Sequence, residues 1–244
     1  MRLTHSLLPL CILALASCTA ATTPSATSAP RTDLSQFRYP LAQMQTISNP
    51  TLLAHRNFYE APSQGPDAAW FDAVKQGNLE KVKAMVDAGQ NLEAKDEASL
   101  GQTALGWAAF IGYEDIVRYL VEHGADIRAT DRADVYNALK SAVMGPNVEV
   151  VKYLHGLLRD ETDFDARESD QETLFMVAAV DGRVDTVKYM LQFHPDVNVV
   201  AVNEKPKLDE SPLSGACEHG FKEMADLLIA HGAINHKTGR ASCQ

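Results

Sequence analysis

Five residues near the C-terminus are of the types that hold metals or act as nucleophiles: Cys217, His219, His231, His236 and Cys243. They read C-x-H, then eleven residues, then H-x4-H, then six residues to the last cysteine. This is not the spacing of a structural zinc site, so no metal is expected. The sequence has no G-x-S-x-G elbow and no glycine-rich loop of the kind that cradles phosphate. Its many carboxylates fall on expected turns and outer helix faces, where solvation explains them. No catalytic residue and no cofactor is expected, and the chain reads as a non-enzyme.

Cys18 is a different matter. Arg2 precedes an apolar run from Leu7 to Ala16, which closes on the small residues Ala16 and Ser17. This is the pattern of a secretory signal peptide. Leu15-Ala16-Ser17-Cys18 resembles a bacterial lipobox, whereas Cys11, preceded by Leu10, fits that pattern poorly. The resemblance implies cleavage before Cys18 and lipidation of its thiol. Thr19, rather than Asp, follows the cysteine, which in that family implies sorting to the outer membrane, facing the periplasm. Ordinary cleavage near Ala20, leaving a soluble periplasmic protein, is the alternative. No other stretch has 18 uninterrupted apolar residues, so a membrane is reached only through this anchor.

An oxidising compartment bears on the two C-terminal cysteines. Cys217 and Cys243 are a candidate disulfide that would staple the tail onto the last folded unit. Alternatively, Cys217 is simply a small buried residue.

The elements that position these residues emerge from a division of the chain. Residues 1–17 form the signal peptide and 18–32 a low-complexity tether rich in Thr, Ala, Ser and Pro. Extended, residues 19–32 reach about 45–50 Å. Residues 33–67, interrupted by Tyr39-Pro40, Asn49-Pro50 and Gly65-Pro66, read as an irregular cap packed over the first repeat. From Ala68 the chain repeats. The small pairs Ala73-Val74, Ala108-Ala109, Ala142-Val143, Ala178-Ala179 and Ala216-Cys217 recur at steps of 35, 34, 36 and 38 residues. Gly77, Gly112, Gly182 and Gly220 each stand four residues after the first member of the pair. Each unit then reads as two short antiparallel helices, with small residues where the next unit presses and a glycine to end the first helix, which Pro146 replaces in the third unit. One such pair cannot bury its own apolar face, so neighbours must stack.

Thr103-Ala104-Leu105-Gly106-Trp107-Ala108-Ala109, Ser211-Pro212-Leu213-Ser214-Gly215-Ala216 and Gly124-Ala125-Asp126 resemble segments of the ankyrin repeat. The resemblance implies an all-α ankyrin-repeat solenoid of about five helix-turn-helix units over residues 68–236. The units run 68–102, 103–136, 137–172, 173–210 and 211–236, and a tail occupies 237–244. The family histidine that ties adjacent loops is missing: Gly106, Lys140, Met176 and Ser214 stand in its place. The third and fourth units end on Leu158 and His194 instead of glycine, and an insertion spans roughly 203–210.

The family's partners usually meet the concave side, built from loop tips and the exposed face of the first helix. The candidate contacts are Lys75, Gln76, Phe110, Ile111, Met144, Asp181, Glu218 and His219 on helices. Leu100, Gln102, Asp134, Tyr136, Asp170 and Glu210 are the candidates on loop tips. Phe110, Ile111, Met144 and Tyr136 are expected to form an apolar centre within a polar rim. The net charge of −10 argues against nucleic acid and against an anionic membrane surface. A protein with a basic surface suits it better, and the array is expected to be monomeric when unbound.

Periplasmic ankyrin proteins of bacteria include immunity proteins that neutralise a secreted toxic enzyme, and accessory factors for oxidative-stress defence. The first is the favoured expectation, because the tether places the array where a toxin arrives. A host-directed effector is a third class, against which the lipobox counts.

Overall fold

In the computed structural model, which describes residues 32–53, 56–131, 137–168, 171–204 and 207–244, four of the five inner helices open on a capping side chain. Thr103, Asn137, Thr173 and Ser211 each accept from a backbone N–H three residues on, satisfying a donor the helix cannot. The first helix, α1 (Leu41–Ser48), precedes the repeats. Five pairs come after it: α2 (Ala68–Lys75) with α3 (Leu79–Asp87), α4 (Ala104–Ile111) with α5 (Glu114–Glu122), α6 (Ala138–Met144) with α7 (Val148–Leu157), α8 (Leu174–Val180) with α9 (Val184–Met190), and α10 (Pro212–Glu218) with α11 (Lys222–Ala230). Two antiparallel hairpins lie between pairs. One is β1 (Lys95–Asp96) with β2 (Gln102–Thr103), and the other is β3 (Ala201–Glu204) with β4 (Lys207–Glu210). The insertion read from the sequence is thus the longer hairpin. Among the described residues no helix is long and apolar enough to cross a membrane.

The inner helices stack in chain order, α2 on α4 on α6 on α8 on α10. The small pairs make this possible: Ala73, Ala108, Ala109, Ala142, Ala178, Ala179 and Ala216 are all buried. The tightest approach is at Gly145, just past α6. Its backbone is ordinary, at φ −84° and ψ 170°, so the demand is for room and not for conformation. A Cβ there would sit 2.3 Å from the Phe110 carbonyl oxygen. Gly145→Ala is therefore expected to part the second and third units and cost about 1–3 kcal/mol, read as a lower urea midpoint. An unchanged midpoint would show that the junction gives way freely.

The missing family histidine is replaced differently in each unit. Gly106 leaves space that the Gln102 side chain fills, and the Gln102 amide donates to Ser141 Oγ in the next unit at 2.9 Å. Lys140 reaches Glu168 as an ion pair, with the lysine buried. Met176 packs with Val199 and Ala201, an apolar contact where the family has a polar one. Ser214 closes a capping box with Ser211. Where the fourth unit lacks its terminal glycine, His194 adopts the left-handed conformation itself, at φ 57°.

Candidate protein-binding face

The concave face begins with the last turns of the inner helices. Residues 33–53 and 56–63 lie across it as a strap and do not stop at the first repeat. The strap is pinned at its start by Arg38, whose backbone N–H donates to the Gln76 carbonyl at 2.8 Å. The Arg38 guanidinium donates through Nε to the Gly77 carbonyl at 2.9 Å, pairs with Asp115 at 2.8 Å, and lies 4.6 Å from the Tyr113 ring centre. Tyr39 stacks on the same ring at 5.0 Å. Helix α1 then buries Met44, Ile47 and Ser48. At its far end Arg183, from the fourth unit, donates to the Ile47 carbonyl at 3.0 Å and to the Met144 carbonyl at 2.6 Å. The chain returns through Arg56, which lies 3.9 Å from Asp131 and under 6 Å from the rings of Trp107 and Phe110. Phe58 meets Phe110 edge-on, and Ser63 takes a hydrogen bond from Lys75 at 3.0 Å.

This arrangement corrects the expected apolar contact centre. Phe110 and Ile111 are fully buried and Met144 nearly so, with Phe58 and Arg56 of the strap lying against the Phe110 ring. Lys75, Gln102 and Asp181 are buried as well. Lys75 pairs with Asp96 at 2.6 Å inside the first junction, and Gln102 serves the inter-loop tie. Gln76 is half-buried, with its carbonyl taken up by Arg38. Leu100 remains an exposed contact candidate, at 47% exposure on a left-handed turn with φ 57°. Glu210 is mostly covered, His219 is exposed beside it at 3.8 Å, and Glu218 pairs with Lys237. Asp134, Tyr136, Asp170 and Cys18 lie outside the described residues.

The C-terminal cluster is resolved into separate duties. Cys217 and Cys243 are joined by a disulfide with Cα atoms 5.3 Å apart. His236 bonds Ser211 Oγ at 3.0 Å and Asp209 at 2.9 Å, tying the tail to the longer hairpin. The rings of His123 and His231 each bond a carbonyl four residues back, in the last turn of α5 and α11. The disulfide closes a loop of 26 residues over the open end of the last unit. Replacing both cysteines by serine is expected to cost that unit about 2 kcal/mol, at the lower end for a disulfide because only the terminal repeat is held. The check is hydrogen exchange, in which α10 and α11 should lose protection before the rest. Uniform protection in the variant would contradict it.

Two acidic groups at the open end of the groove are perturbed. Burial pushes Asp181 up to about 6, with Arg183 opposing and Glu210 adding to the rise. Burial also raises Glu210, with His219 opposing. The outer helices, by contrast, carry exposed intra-helix pairs such as Glu80–Lys83, Glu114–Arg118 and Glu149–Lys152. These are the solvated faces expected of the abundant carboxylates, each contributing a few tenths of a kcal/mol.

Stacked antiparallel helix pairs with hairpin fingers along one edge define a helical solenoid protein, whose units fold by leaning on their neighbours. Family models described as ankyrin repeats match three times, over residues 54–131, 70–161 and 139–239, and the chain belongs to the ankyrin-repeat family. It is 33% identical over 135 residues to a palmitoyltransferase, AKR1, of Lachancea kluyveri, covering 55% of this chain and 18% of that protein. It is 42% identical over 95 residues to protein phosphatase 1 regulatory subunit 27 of Homo sapiens, covering 38% of this chain and 58% of the subunit. To Notch-regulated ankyrin repeat-containing protein A of Danio rerio it is 33% identical over 91 residues, covering 36% and 80%. The chain thus spans less than two thirds of the first two relatives, and the likeness is one of repeats. A protein–protein interaction module is what these repeats amount to.

Proposed function

We propose that this chain is a periplasmic ankyrin-repeat lipoprotein, anchored through Cys18, that binds and neutralises a secreted toxic enzyme with a basic surface. It catalyses nothing itself in this reading. The observation that carries the compartment is the Cys217–Cys243 disulfide, since such bonds persist where the surroundings are oxidising. The apolar run before Cys18 supplies the route there. With the strap over the first units, the partner meets the exposed fingers, including Leu100 and Val202, and the uncovered end of the groove. The acidic balance of the chain favours a basic partner on approach.

Pull-down from periplasm with the full chain tests the reading. It is expected to capture a toxic enzyme, and deletion strains are expected to succumb to it. If no such enzyme is captured and deletion sensitises cells only to peroxide, the role is oxidative-stress defence instead. Labelling with a radioactive fatty acid should mark the wild type and spare Cys18→Ala. An unlabelled wild type would remove the anchor from the proposal.

A further inference from the structure

Among the described residues the strap leaves one part of the concave face uncovered, and a cavity of about 360 Å³ lies there. Leu53 of the strap, Met144 of the third unit and Val180 of the fourth supply apolar walls. Asp181 lines it from within, Glu172 is half-buried, and His219 is exposed at its edge. Asp181 is only 8% exposed, yet among the described residues no hydrogen bond or ion pair reaches its carboxylate. Arg183, the cation that opposes its rise most, spends its guanidinium on the carbonyls of Ile47 and Met144, and Arg56 and Lys140 add weaker positive potential. Other buried charges of this face are placed differently: Lys75 meets Asp96, Lys140 meets Glu168, and Arg56 lies 3.9 Å from Asp131.

A buried carboxylate without a partner costs stability, and a perturbed carboxylate in a cleft is a candidate functional site. The geometry points to a seat for one cationic side chain, an arginine or lysine, carried on the partner's basic surface. This deepens the protein-binding reading above and rests on it. The apolar walls suit the aliphatic stem of such a side chain, while Asp181 lines the cavity for its head. Burial raises the proton affinity of Asp181, so its ionised form gains from a cation placed in the cavity. The occupant is distinguished from a hydrophobic anchor by charge: an apolar side chain there would leave Asp181 buried and still unpaired.

The test uses the full chain with N-acetylarginine amide, N-acetyllysine amide and the uncharged isostere N-acetylcitrulline amide as probes. Binding is read from methyl resonances of Met144 and Val180 at constant ionic strength. At least one charged probe is expected to saturate, binding about tenfold or more tightly than citrulline. Asp181→Asn is expected to abolish that preference while remaining folded, since the change removes a buried charge. Equal response to citrulline, no saturation by either cation, or an unchanged preference in Asp181→Asn would each overturn the assignment. The two readings fail separately. A cation bound here with no protein captured from periplasm sinks the partner. A captured partner whose affinity ignores Asp181→Asn sinks the seat.

Discussion

Replacing Lys75 by methionine is expected to destabilise the fold by about 3–5 kcal/mol, the cost of leaving a buried charge without its counterpart. Asp96 has no exposed surface, and its Oδ2 receives Lys75 Nζ at 2.6 Å and Trp107 Nε1 at 3.0 Å. Its other oxygen, Oδ1, has no hydrogen-bond partner among the described residues. Methionine fills the lysine's volume and keeps its contact with Trp107, whose ring centre lies 4.6 Å from Nζ. It cannot supply the charge. It also releases Ser63, so the end of the strap should loosen together with the first junction. Lys75→Met with Asp96→Asn removes both charges and is expected to recover most of the loss, because an apolar or neutral pair of similar volume is often as stable as a buried ion pair. Urea unfolding of the two single variants and the double variant forms a cycle whose coupling energy reads the pair directly. A single-variant cost below about 1 kcal/mol would show that the carboxylate finds water or another donor.

The repeats were legible because each of their markers answers a local demand. Ala108 is small because α6 presses on α4, and Gly112 at φ 92° ends α4 in a conformation other residues resist. Such demands recur with every unit, and recurrence is readable from one chain. The strap has no such signal. Its sequence is broken by prolines and aperiodic, so nothing local says that Met44, Ile47 and Phe58 lie against residues far along the chain. Its longest tie, from Arg183 to Ile47, spans 136 residues. A hint was present all the same. Phe110, Ile111 and Met144 form a large apolar surface for a face meant to be wet, and the segment before the repeats holds enough aromatic and aliphatic residues to cover it. The loop ties were half-legible: the missing histidines could be seen, but not that Gln102 would fold over Gly106 or that Lys140 would pair with Glu168.

Asp181→Asn is expected to stabilise the protein at neutral pH by about 3 kcal/mol and to change little in acid. The carboxyl's affinity for its proton rises from 3.8 to about 6 on folding, so the folded state holds that proton more tightly than the unfolded chain does. Below about pH 3.8 both states are protonated and the group is neutral with respect to folding. Between about pH 3.8 and about 6 the unfolded chain ionises first, and stability falls as pH rises. Above about pH 6 the penalty is complete, and the size of the rise sets it at about 3 kcal/mol. Asparagine has nearly the same shape and never ionises, so the variant should lack this slope. The difference between variant and wild type, followed by urea unfolding from about pH 3.5 to about pH 8, isolates the one group, because distant titrations cancel. The repulsion between Asp181 and Glu210 is already contained in the rise of Asp181 and adds no second increment to the gain. A difference that did not vary with pH would mean that the carboxyl holds its proton equally in the folded and unfolded states, and a loss at neutral pH would mean that it finds a partner. A cation in the cavity should reverse the sign of the effect: with it bound, the ionised carboxylate is the favoured form, and the wild type should gain stability where the variant gains none.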